Sequence, residues 1–215
     1  FALFSSSSSA YNASGTTEYY RLPNSVGYLP VASGLAGWWA FDEGTGSSTY
    51  DYSGSNATGM WNGSLINGSH YSVGQVGPYA GNFDGTDNYT AISAISFLPA
   101  GSSARTITGW IKTNGIRNGR MNYFGYGGAT TGLAFDLSSG INGDGKIYFV
   151  GYAADLAGNA IIGDGNWHFI AATFDGTTVT LYANGSYDSS KVISLNTSNI
   201  ATYPFVIGRQ SYPDG

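Results

Sequence analysis

Few residues in this chain carry reactive chemistry. It has two glutamates, Glu18 and Glu43, two histidines, His70 and His168, and no cysteine. Cleavage of a glycosidic bond needs two carboxyl groups a few ångströms apart on either side of the bond. Glu18 and Glu43 lie in different segments, and no Glu-x-Asp-x-x-Glu run occurs. Many aspartates sit in Asp-Gly pairs, at Asp84, Asp144, Asp164 and Asp175. There the carboxylate has a sufficient role in bonding its own turn. Neither histidine falls in a readable Ser-His-Asp arrangement. The chain reads as a protein that is not an enzyme.

Binding chemistry is better supplied. Sugar recognition uses exposed aromatic rings beside planar hydrogen-bonding groups. Trp61, Tyr71, Tyr79, Tyr123, Tyr126 and Tyr152 fall in or near expected loops amid Asn and Gly. Of these, Trp61, Tyr71 and Tyr126 are the candidate glycan-binding residues. Trp39, Trp110 and Trp167 fall on expected strands and read as core. The 17 tyrosines equally suit an uncharged coat or packing between subunits. Acceptor sites for N-glycosylation occur at Asn12, Asn56, Asn62, Asn67, Asn88, Asn184 and Asn196, with Asn56, Asn62, Asn67 and Asn184 the leading candidates because they sit in turns.

Composition limits the partners. The chain has 215 residues, 42% of them hydrophobic but only 10% charged, and a net charge of −5. An acidic chain without a basic stripe excludes nucleic acid and an anionic membrane surface as partners. No apolar run is long enough to span a bilayer. A surface carried by hydroxyls and amides fits an exported protein, extracellular or at the cell surface, and "FALF" at the start reads as the remnant of a longer hydrophobic segment.

The elements that must position these residues are strands. Short β-rich runs are separated by turn pairs such as Asn62-Gly63, Asp84-Gly85 and Asn184-Gly185, the pattern of an all-β, antiparallel two-sheet sandwich. "NWHFIAATFDGTTVTLYANGS" (166–186) is a hairpin turning at Asp175-Gly176. Further strands are expected at 105–113, 132–137, 146–152 and 205–208. Residues 1–33, Ser-rich and with Pro23 and Pro30, read as an extension ahead of a domain over 34–215. The expected core is Trp39, Phe41, Phe83, Trp110, Phe135, Phe149, Phe169 and Leu181.

"GLAGWWAFDEGTGSSTYDYSGSNATG" (34–59), "AGNFDGTDNYTAI" (80–92), "RTITGWIKT" and the 166–186 hairpin together resemble the laminin-G-like, concanavalin A-like lectin and glucanase jelly-roll family. The resemblance runs over roughly 34–210 and implies a jelly roll. This fold hosts lectins, adhesion modules, enzyme accessory domains and structural subunits, so it does not by itself assign a function. Family members often hold a Ca²⁺ ion with hard oxygen ligands. The resemblance makes Asp42, Glu43 and Asp51 the candidate Ca²⁺ ligands; the other reading is two exposed turn carboxylates and a turn-stabilising aspartate. Members that cleave glucans carry paired glutamates that this chain lacks.

The family usually ends with a strand that pairs beside the opening strand, and "IGRQSYPDG" contains nothing of that kind. The opening strand is therefore expected to present an unpaired edge, which an extended segment can fill. Docked on a neighbouring copy, the N-terminal extension would build a head-to-tail filament. The expected function is a non-catalytic extracellular structural or adhesive subunit whose partners are copies of itself. The alternative is a carbohydrate-binding module of a larger secreted or surface protein. A chain that continues past Gly215 and supplies its own last strand explains the gap equally well.

Overall fold

A computed structural model of the chain describes residues 2–5, 34–66, 68–93, 95–113, 120–130, 132–140, 143–199 and 202–211. The expected all-β, antiparallel jelly roll is what forms. One sheet has six strands, in the order β15 (Ser186–Val192), β14 (Thr178–Ala183), β13 (Trp167–Phe174), β8 (Arg105–Lys112), β1 (Ala2–Ser5) and β2 (Leu35–Trp39). The other has eight: β12 (Leu156–Ile161), β11 (Lys146–Val150), β10 (Ala134–Ser139), β9 (Met121–Gly127), β16 (Phe205–Ile207), β7 (Tyr89–Ile92), β4 (Gly59–Asn62) and β3 (Ser48–Thr49). A separate hairpin joins β5 (Tyr71–Val73) to β6 (Tyr79–Gly81). Among the described residues no helix is long and apolar enough to cross a membrane.

Turn chemistry sets the hairpins. Asp175 Oδ1 accepts the amides of Thr177 and Thr178 at 2.8 and 2.7 Å, closing the β13–β14 turn. Asn184 and Gly185 both adopt positive φ, 53° and 82°. Hairpin turns that match strand twist need this conformation, and Asn-Gly is the pair that takes it at least cost. His168 and Asp164 then tie two turns together. The His168 ring meets Asp164 Oδ1 at 2.8 Å through Nε2 and the Asn184 amide at 3.1 Å through Nδ1. The histidine partner first, and the Asn166 amide second, hold the Asp164 carboxyl well below the usual carboxylate range.

The inner faces of the two sheets meet in one core. Trp39 stacks on Phe205 across the sandwich, with centroids 5.0 Å apart, and its Nε1–H donates to the Ala57 carbonyl at 2.7 Å. Phe41, Phe135, Phe149 and Leu181 are buried as expected, and Phe83 packs on the core from its rim. The expectation for Trp110 and Phe169 is corrected. Both are half-buried on the outer face, register partners across β8 and β13 with rings 5.5 Å apart. The residues of β13 that enter the core are one step out of phase: Ile170, Ala172 and Phe174. Strand side chains alternate strictly, so a one-residue error in phase exchanges the two faces.

Most of the extension lies outside the described residues, but its first strand does not. Antiparallel β1 runs between β2 and β8, with Leu3 opposite Trp38 on one side and Thr108 on the other. The opening strand is thus paired on this side within its own chain, which corrects the expectation of an edge left for a neighbour. Its other side is closed as well. Tyr52 N–H donates to the Trp38 carbonyl at 2.8 Å, and the hydroxyls of Ser53 and Ser55 donate to the Ala36 carbonyl at 3.0 and 2.8 Å.

Candidate functional site

The three aromatics expected to bind glycan are placed in the interior. Trp61 (7% exposed), Tyr71 (6%) and Tyr126 (0%) lie on strands and not on loops. Trp61 stacks flat on His70, centroids 4.7 Å apart, and packs against Phe83. Its Nε1–H donates to the Tyr71 hydroxyl, which donates to the Ser48 carbonyl at 2.9 Å. Burial pushes the Tyr71 hydroxyl up to about 12. Tyr126 donates to the Pro99 carbonyl and accepts from Arg105. Arg105 is itself buried between the Phe135 and Phe174 rings, 5.0 and 5.3 Å from their centroids. These rings have the aromatic chemistry of a sugar site but no surface to offer one.

The carboxylates expected to hold Ca²⁺ are spoken for by backbone amides. Asp51 Oδ1 accepts from Trp38 and Ser53 N–H at 3.0 and 2.8 Å, and Oδ2 from Ala57 N–H at 3.2 Å. Glu43 Oε1 accepts from Tyr50 N–H at 2.8 Å and from the Thr49 hydroxyl. Asp42 accepts from Tyr79 N–H at 3.3 Å. Among the described residues no three His, Cys, Asp or Glu side chains gather closely enough to hold a metal. Asp51 thus secures backbone through both oxygens, whereas the hydrogen bonds of Glu43 go to Oε1 and its buried Oε2 accepts none.

These same bonds assemble a different feature at the surface. Three strand ends meet where β2 leaves the sheet. By accepting the Tyr50 amide, Glu43 draws the Tyr50–Tyr52 segment alongside the Asp42–Glu43 turn, and Asp42 does the same for Tyr79 on β6. Gly44 has φ of +69°, and the Tyr79 ring occupies the space a Cβ would need there. The outcome is three tyrosines standing in solvent, Tyr50 at 54%, Tyr52 at 51% and Tyr79 at 44% exposure. The Tyr52 ring rests against Trp38, 5.5 Å between centroids, which fixes its face. Burial, and then the negative charge of Glu43 and Asp42, raises the Tyr52 hydroxyl above its ordinary value. Desolvation likewise raises the Asp42 carboxyl, against the opposing Tyr79 amide. The corner offers aromatic faces, phenol donors and carboxylate acceptors within one small area. Tyr79 was among the loop aromatics of the sequence. Tyr50 and Tyr52 were not, although "TYDYSG" signals them: if Asp51 turns inward to bond β2, its two neighbours must turn outward.

Other carboxylates among the described residues accept hydrogen bonds at turns, on a strand or in the interior. Asp84 accepts from the amides of Thr86, Asp87 and Asn88, Asp188 from Asn159 and Ala160, and Asp144 from Lys146 and the Tyr148 hydroxyl. Asp136 is buried, with Oδ2 bonded to the Ser211 amide and hydroxyl. The glycan-acceptor asparagines divide by burial. Asn56 and Asn196 are exposed and Asn62 is half-buried. Asn88 is 3% exposed and donates through Nδ2 to the Ser64 carbonyl at 2.7 Å. Asn184 is exposed, but its Nδ2 is engaged with His168. Asn12 and Asn67 lie outside the described residues.

The fold is shared with domains of other proteins. Domain 4 of the extracellular GH43 arabinanase AbnA from Geobacillus stearothermophilus, solved with arabinotriose, superposes with a TM-score of 0.55 at 19% identity, over 76% of this chain and 79% of that one. The binding domain of Paraclostridial Mosquitocidal Protein 1 gives 0.52 at 15% identity, over 80% of this chain but 49% of that one. No curated protein sequence matches the chain. The model of one family matches over residues 84–215, well over half of the sequence, and the chain therefore belongs to the concanavalin A-like lectin/glucanases superfamily.

Proposed function

We propose that this domain is a non-catalytic adhesive module, extracellular or at the cell surface, that binds uncharged saccharides at the Tyr50–Tyr52–Tyr79 corner. The observation that carries the reading is the exposure of three tyrosines on a turn whose carboxylates already position them. A sugar ring stacks its C–H face on an aromatic ring while its hydroxyls meet nearby acceptors. The carboxylates of Asp42 and Glu43, on a chain of net charge −5, disfavour sialylated or sulfated ligands through like-charge repulsion. The arabinanase domain solved with arabinotriose supports a neutral oligosaccharide as the ligand class. The non-catalytic reading is supported by the sequence, whose two glutamates lie in different segments and which has no Glu-x-Asp-x-x-Glu run.

The test is a glycan array followed by calorimetry, with Tyr50→Ala, Tyr52→Ala and Tyr79→Ala variants. The reading expects binding of neutral oligosaccharides in the micromolar to millimolar range typical of a small stacking site, about −4 to −8 kcal/mol, weakened by each substitution. Binding that survives all three substitutions, or a preference for anionic glycans, overturns it.

A further inference from the structure

We infer that β1 is an exchangeable strand: the slot between β2 and β8 accepts Ala2–Ser5 of a second copy of this chain as well as its own. The inference is independent of the saccharide reading.

Three features of the fold carry it. First, both walls of the slot are held by elements other than β1. The β8 wall pairs with β13 in an unbroken register from Trp167↔Lys112 to Phe174↔Arg105. The β2 wall is anchored by Trp38 N–H on Asp51, by the Tyr52 amide on the Trp38 carbonyl, by Trp39 Nε1–H on the Ala57 carbonyl and by the stacking of Trp39 on Phe205. Withdrawing β1 leaves two anchored strands with facing, unpaired backbone groups, a template for an incoming strand. Second, β1 joins the sheet through backbone pairing on both sides, to β2 at Ala2↔Trp39, Leu3↔Trp38 and Ser5↔Leu35 and to β8 at Leu3↔Thr108, Phe4↔Ile107 and Ser5↔Thr106. The same register is available to an identical strand from any copy. Third, the sequence between Ser5 and the opening strand is long. Residues 6–33 span at most on the order of 90 Å when extended, whereas a chain of this size folds to roughly 45 Å across. A strand on one domain therefore has the length to reach the slot of the next. Mutual exchange closes a dimer, while exchange passed onward from copy to copy leaves an open chain.

The chain contains no cysteine, so engineered thiols report strand position directly. Ser5 and Thr106 are register partners. A Ser5→Cys variant and a Thr106→Cys variant are unfolded together and refolded at graded concentration under mild oxidation, beside a control pairing Ser5→Cys with Ser190→Cys on the exposed edge strand β15. Exchange predicts a disulfide-linked heterodimer whose yield rises with concentration and exceeds the control about tenfold. The double variant, Ser5→Cys with Thr106→Cys, is then expected to lock as a monomer when dilute and as dimers and longer ladders when concentrated. Should these variants fold poorly, the unsubstituted chain refolded at the same concentrations and run on a sizing column gives the second reading, with concentration-dependent dimer expected. A double variant that locks only as monomer at every concentration, or never cross-links, overturns the inference. A heterodimer yield no higher than the control, or an unsubstituted chain that is monomeric throughout, does the same.

Discussion

Asp51 bonds the backbone of Trp38 from the far side of the opening strand, its Oδ1 oxygen 3.0 Å from the Trp38 amide. The same carboxylate also takes the amides of Ser53 and Ala57, so one side chain secures a strand edge and a turn together. Asp51→Ala removes the shared acceptor of these three amides. At about 1 kcal/mol or more for each lost bond to a charged acceptor, the variant is expected to lose roughly 2–4 kcal/mol in urea denaturation. The unsubstituted protein should melt at the same temperature in calcium and in a chelator. A rise of several degrees in calcium that Asp51→Ala abolishes would make Asp51 a metal ligand and not a strand clamp.

Asp136 sets a pH dependence. Desolvation raises its carboxyl to about 7, opposed by the Ser211 donors and by Arg120. In the unfolded chain the value is near 3.9. The folded state thus favours the proton, and the group's contribution to stability is complete below about pH 4 and lost as pH rises toward 7. Asp136→Asn keeps an acceptor for Ser211 and removes the ionisation. Denaturation at pH 5 and pH 8 should show the parent chain losing on the order of 2–3 kcal/mol relative to Asp136→Asn across that interval. Equal pH profiles for the two proteins would place the Asp136 titration outside this window.

How much of this was legible in the sequence follows from which signals are local. Turn pairs are local, and Asp175-Gly176 and Asn184-Gly185 mark real turns because their side chains and φ angles act within a few residues. Strand phase is not local. "WHFIAATF" alternates equally well either way, and which set is buried is decided by the facing sheet, which covers the Ile170–Gly109 pair and leaves the Phe169–Trp110 pair on the outer face. Trp61 and Tyr126 misled for a related reason. Amid Asn and Gly they look like loop residues, whereas strands only four to seven residues long place them in the core beside partners distant in sequence, Tyr71 and Arg105. That the extension pairs beside the opening strand was expected from the sequence, but nothing local in "ALFS" tells that it does so within its own chain, between β2 and β8.

Glycosylation tests the placement of the asparagines. Transfer to Nδ2 requires that nitrogen to be free and reachable. Asn56 and Asn196 are exposed, while Asn88 is buried with its amide donating to Ser64 and Asp87. Glycopeptide mass spectrometry of protein secreted from a host with the machinery should find Asn56 and Asn196 occupied and Asn88 bare. At Asn184, glycan would break the contact with His168, and occupancy there is expected to be low. Full occupancy of Asn88 would mean that glycan is added before the β4–β7 region closes over it.

Stability and binding should separate cleanly between the buried and the exposed aromatics. Trp61 packs against His70, Phe83 and Phe41, so Trp61→Ala opens a cavity and is expected to cost about 3–5 kcal/mol. Any loss of saccharide binding in that variant reports unfolding. Tyr50→Ala touches only surface, and substitutions of that kind usually change stability by no more than about 0.5 kcal/mol. The loss of one stacking face, worth about 0.5–1.5 kcal/mol, should still weaken binding by roughly 2- to 13-fold. Tyr52→Ala is the intermediate case, because its ring also covers Trp38, and a small drop in melting temperature should accompany its loss of affinity. Paired melting and calorimetry on the three variants distinguishes the cases. If Tyr50→Ala and Trp61→Ala lose affinity only in proportion to lost stability, the exposed tyrosines do not form the saccharide site.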